Sequence, residues 1–71
     1  MNFTMSIADN YASFIDTASG IAVFVDSFDN RKFDVRIGSV NESKFVGHIF
    51  AETDHELNEK LAALFLAQTK I

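Results

Sequence analysis

Apolar and polar residues alternate along three successive stretches of the chain. In residues 21–26, Ile21, Val23 and Val25 point one way and Ala22, Phe24 and Asp26 the other, which is the period of a β-strand. Residues 32–38 alternate more cleanly, with Phe33, Val35 and Ile37 inward and Lys32, Asp34 and Arg36 outward. Residues 44–51 predict a third strand, with Phe45 and Ile49 inward and Lys44, Val46, His48 and Phe50 outward. Both of its faces are partly apolar, so the pattern sets its register less firmly. Ser27-Phe28-Asp29-Asn30-Arg31 and the stretch from Gly38 to Ser43 supply the turns, with Asp29-Asn30 at the tip of the first.

Helical spacing flanks the strands. Ile7, Ala8, Tyr11, Phe14, Ile15 and Ala18 recur at that spacing and predict a helix over residues 6–18. Ser6 caps its start, Asp9 follows three residues on, and Gly20 supplies a left-handed C-terminal turn. Asn10, Ser13 and Thr17 are weak helix formers within it. Downstream, Thr53-Asp54-His55-Glu56 has capping-box spacing: the Thr53 hydroxyl accepts from the Glu56 amide, and the Glu56 carboxylate reaches back to the Thr53 amide. Leu57, Leu61, Leu64 and Phe65 then form an apolar stripe, and nothing from Leu57 to Gln68 breaks the helix.

The predicted order is α-β-β-β-α. Short turns imply a three-stranded antiparallel meander with residues 32–38 in the middle. The C-terminal helix must lay its stripe across that sheet, giving a two-layer α+β sandwich. With 71 residues the chain is read as one domain, 1–71, with a thin core and a net stability of about 3–5 kcal/mol.

Composition narrows the function classes. Hydrophobic residues make up 48%, with 8 Phe, which excludes a disordered chain. With no Cys there is no disulfide, thiolate metal site or Cys nucleophile, which fits a reducing cytoplasm. Met1-Asn2-Phe3-Thr4-Met5 lacks the basic and apolar regions of a secretory signal. No apolar run approaches the ~20 residues of a membrane span. Six basic against ten acidic residues give a net charge of -4, which disfavours direct binding to a phosphate backbone.

No catalytic motif emerges, so an enzyme is not expected. His48 and His55 are the two histidines, and His55-Glu56-Leu57-Asn58-Glu59 lacks the second His of a zinc-protease motif. No metal or cofactor is expected. The serines fall in caps, turns or a helix face, and no phosphate loop is present. Two surfaces remain. Glu52, Asp54, Glu56 and Glu59 cluster near the last helix start, either as complements to the helix dipole or as an acidic patch for a basic partner. The outer sheet face carries Phe24, Asp34, Arg36 and Phe50, with Lys32, Val46 and His48. Either the first helix covers part of it or the Lys and Arg stems shield its rings, or it is an open interaction surface. A monomer and a homodimer, joined through this face or a sheet edge, both fit.

An α-β-β-β-α order in about 70 residues resembles the double-stranded-RNA-binding domain, whose second helix starts with lysines that meet phosphates. Here that position reads Glu52-Thr53-Asp54-His55-Glu56-Leu57-Asn58-Glu59-Lys60, with the charge inverted. Ile21-Ala22-Val23, the hairpin around Lys32 to Ile37, Ser43-Lys44-Phe45-Val46-Gly47 and the acidic Thr53-Asp54-His55-Glu56 helix start resemble small phage-encoded anti-CRISPR proteins that inhibit type I systems. This likeness spans roughly residues 20–65. It implies a small non-enzymatic inhibitor that binds a Cas protein or surveillance complex in the host cytosol. Small antitoxins with a β-β-β-α core are a further likeness. The residues expected to meet a partner are Glu52, Asp54, Glu56 and Glu59 for electrostatics, and Phe24, Asp34, Arg36 and Phe50 for contact.

Overall fold

A computed structural model describes residues 2–69. Four strands precede one helix: β1 (Tyr11–Asp16), β2 (Ile21–Asp26), β3 (Lys32–Gly38), β4 (Ser43–Phe50) and α1 (Asp54–Thr69). The strands form one antiparallel sheet in the order β1-β2-β3-β4. The architecture is thus a small α+β fold, with four strands where the sequence pattern predicts three.

The expected helix over residues 6–18 is the main correction. Residues 11–16 form β1, which pairs with β2 from Tyr11↔Asp26 to Asp16↔Ile21. β2 explains why. Ala22, Val23 and Val25 are all fully buried, so this strand is apolar on both faces and belongs inside a sheet, with a neighbour on each edge. β1 supplies the second neighbour. It turns Ala12, Phe14 and Asp16 toward the helix side and leaves Tyr11, Ser13 and Ile15 exposed.

The two helix signals are present but serve other ends. Ser6 and Asp9 close a single turn: the Asp9 amide donates to the Ser6 carbonyl at 3.0 Å, and the Ser6 amide to the Asp9 carboxylate at 3.2 Å. The turn does not propagate. Gly20, at φ 76°, lies in the left-handed region and closes the β1–β2 hairpin, its amide donating to the Asp16 carbonyl at 2.8 Å.

The core joins Val23 and Val25 of β2, Phe33 and Val35 of β3, Ile49 of β4, Ala51, and Leu57 and Leu61 of α1. Leu64 and Phe65 continue the predicted stripe, half-buried against it. Full burial of one such side chain contributes about 1.5–3 kcal/mol, so these few residues carry the fold.

The N-terminal segment runs along the helix side of the sheet. Met5 is buried in the core, and the Phe3 ring meets Phe14 and Phe65 edge-on, at centroid distances of 4.9 and 5.8 Å. Asn58 fastens the Met5 backbone, and the Asn30 amide donates to the Ile7 carbonyl at 2.7 Å.

Candidate interaction surface

The outer face of the sheet is built in rows. Pairing across the strands places Ser13, Phe24, Arg36 and Phe45 in one row. Arg36 therefore stands between two phenylalanines. The next row holds Tyr11, Asp26, Asp34 and His48. Lys32 lies opposite Phe50, and the His48 and Phe50 rings meet edge-to-face at 5.2 Å.

Phe45 is a second correction. The alternation of β4 points it inward and Val46 outward, and the structure reverses both. The ladder runs Val35↔Gly47 and then Arg36↔Phe45, so Val46 is the extra residue of a β-bulge. Gly47, at φ 148°, provides the backbone freedom that the bulge requires. Val46 packs against the core, while Phe45 is 58% exposed. Gly47 is the sequence signal for this shift, since an isolated glycine within a strand pattern marks a bulge.

No helix covers this face among the described residues. Tyr11, Ile15, Phe45 and Phe50 are each at least half exposed, and Arg36 and His48 are also exposed. A shallow depression between the strands is lined by Tyr11, Phe24, Asp26, Arg36, Val40 and Ser43. The structure thus groups the expected contact residues Phe24, Asp34, Arg36 and Phe50 on one face. It adds Tyr11, Ile15 and Phe45, which the helix reading of residues 6–18 and the regular reading of β4 hide.

Charge on this face is uneven. Asp26 and Asp34 are directly opposed across β2 and β3. Like charges in that position repel, and no hydrogen bond or ion pair joins either carboxylate to the described residues. Lys32 and Arg36 flank Asp34 on the same face without an ion pair, so a basic side chain from outside can still approach the two carboxylates.

The acidic residues at the start of α1 divide by task. Asp54 accepts from the Ile7 amide at 2.9 Å and the Ser6 hydroxyl at 3.4 Å, which ties down the N-terminal segment. The Thr53 hydroxyl oxygen accepts from the Glu56 amide at 3.1 Å, as the capping box predicts. The return bond differs by one residue: the Glu56 carboxylate accepts from the Glu52 amide at 2.8 Å, not from Thr53. That bond, with Lys60 beside it at 3.4 Å, holds the Glu56 carboxyl below its ordinary pKa. Glu59 pairs with His55 at 3.2 Å in an exposed i,i+4 contact. Glu52 is exposed, and its carboxylate has no partner among the described residues. Phe50 links the two surfaces. It stands on the outer face, yet it also borders a depression lined by Arg31, Glu52, Glu56 and Lys60.

Among the described residues, no group of three or more His, Asp or Glu side chains is arranged to hold a metal ion. No described helix is long and apolar enough to cross a membrane. No family profile matches the chain, and neither the curated proteins nor the solved structures contain a match to it.

Proposed function

We propose that this chain is a small non-enzymatic inhibitor that binds another protein and covers a working surface of it. The observation that carries this reading is the open outer face, where Phe24, Arg36 and Phe45 form one row beside the opposed carboxylates of Asp26 and Asp34. Aromatic and arginine side chains concentrate binding energy at protein interfaces. The opposed carboxylates favour a partner that presents a lysine or arginine within an apolar surround. Glu52, next to Phe50 at the margin, extends the acidic side of the surface. Nucleic-acid-binding surfaces of effector proteins carry such basic side chains.

The narrower form of the proposal is an anti-CRISPR protein acting in the host cytosol on a Cas protein or surveillance complex. It rests on the sequence likeness over residues 20–65. The rival likeness to the double-stranded-RNA-binding domain loses its ground, because a strand and not a helix precedes β2.

The test is binding of the purified chain to purified type I surveillance complexes and their helicase-nuclease, measured by calorimetry. Binding that Phe45→Ala and Arg36→Ala each weaken at least tenfold is the expected result. No binding to any of these targets would overturn the anti-CRISPR form. Tight, salt-sensitive binding to duplex RNA would overturn the inhibitor reading itself.

A further inference from the structure

We propose that β1 pairs edge-to-edge with the β1 of a second copy, so that two sheets join into one. The ladder to β2 sets which backbone groups are free. The Ser27 amide donates to the Asn10 carbonyl at 2.8 Å, so hydrogen-bonded pairs fall at Asn10↔Ser27 and at every second residue after it. The N–H and C=O groups of Tyr11, Ser13 and Ile15 therefore point to the outer edge. Among the described residues, none hydrogen-bonds to these groups.

Among the described residues, the two edges of the sheet are guarded differently. At the other edge, β4 carries the bulge at Val46, and Lys60 caps the Phe50 carbonyl at 2.7 Å. Bulges and lysines are the devices that keep strand edges from pairing. β1 has neither a lysine, a proline nor a bulge.

The sequence of β1 is self-complementary in one antiparallel register, centred on Ser13. There Ser13 faces its own counterpart, and Tyr11 faces Ile15 of the second copy twice over. The three outward-pointing residues become the hydrogen-bonded pairs, giving about six backbone bonds across the seam. Tyr11 and Ile15, 60% and 50% exposed, would cover each other on the outer face, an aromatic against a β-branched side chain. Ala12 meets Phe14 on the inner side. Asp16 meets Asn10, so no like charges oppose each other. The seam takes up the Tyr11 and Ile15 margin of the outer face and leaves the row of Phe24, Arg36 and Phe45 open, so it does not depend on the proposed binding.

The test is sedimentation velocity on the full chain over about 1 µM to 1 mM, where a reversible dimer responds to concentration. The expected result is a mass rising from 7.9 kDa toward twice that value. Amide exchange at Tyr11, Ser13 and Ile15 should slow as the concentration rises. Ser13→Pro removes an outward N–H that the monomer leaves unused, and it should raise the dissociation constant at least tenfold. If that variant fails to fold, Ile15→Lys and the exchange experiment on the unaltered chain decide the matter. A chain that stays at 7.9 kDa throughout would overturn the proposal. So would a dimer that survives both variants yet is lost on Phe24→Asp, which would place self-association on the open face.

Discussion

Asn58 holds both backbone groups of Met5. Its carboxamide oxygen accepts from the Met5 amide at 2.8 Å, and its nitrogen donates to the Met5 carbonyl at 2.9 Å. The two residues lie 53 positions apart, so this contact closes the N-terminal segment onto the helix. Asn58→Ala leaves a half-buried backbone donor and acceptor without partners, and should cost about 1–3 kcal/mol in urea unfolding. Asn58→Asp keeps the acceptor and loses the donor, so it should fall between the two. Equal stability of Asn58→Ala and the unaltered chain would mean that water replaces the carboxamide at no cost.

Leu61 is a core residue whose removal should be poorly tolerated. It is 1% exposed and belongs to the cluster with Phe33 and Val35. Leu61→Ala should cost about 2–5 kcal/mol, comparable with the whole stability of so small a domain. The expected outcome is a largely unfolded chain at 37 °C by circular dichroism. Leu66→Ala, at a 65% exposed position of the same helix, serves as the control and should change little.

Asp34 should show opposite effects on stability and binding. Asp34→Asn relieves its repulsion with Asp26 and should stabilise the chain by about 0.5 kcal/mol. The same change removes the charge that favours a basic partner side chain, so affinity for that partner should fall. Thermal unfolding and calorimetry on one variant read both effects. A loss of stability would show that the opposed carboxylates do not strain the sheet.

Three carboxylates should make the fold acid-sensitive. Asp16 is held below its ordinary value of 3.8 first by the Ser19 side chain and then by the Ala18 amide. Asp29 is held below the same value by the Lys32 and Arg31 amides, and Glu56 below 4.5 by the Glu52 amide and then Lys60. In each case the folded chain prefers the charged form. Their stabilisation is therefore complete above the unfolded values and is lost as pH falls through the lower folded ones. Melting temperature should be flat near neutrality and decline below about pH 5. Glu56→Gln should make that decline shallower, and an unchanged slope would remove Glu56 from the account.

The core positions of β3 and α1 are legible in the sequence, while the burial of Met5 and the exposure of Phe45 are not. β3 and the capped start of α1 follow from alternation and from Thr53 and Glu56, because burial and capping act through nearby residues. β1 is hidden for a physical reason: a left-handed glycine ends a helix and closes a hairpin equally well, and Gly20 does the second. Ser6 and Asp9 likewise form a helix-like turn that stops after one residue cycle. What decides for a strand is the need of β2 for a second neighbour, which is a tertiary effect. On the surface, Phe24, Asp34, Arg36 and Phe50 follow from simple alternation. Phe45 does not, because one inserted residue reverses the count, and Tyr11 and Ile15 are lost with β1.

The bulge at Val46 also makes the open face a matter of alignment. Sliding the stretch from Ser43 to Phe45 by one position along β3 would send Phe45 inward and bring Val46 opposite Arg36. The aromatic row would vanish without the change of a single amino acid. What this surface can recognise is therefore stored in the pairing of two backbones as much as in the side chains it displays.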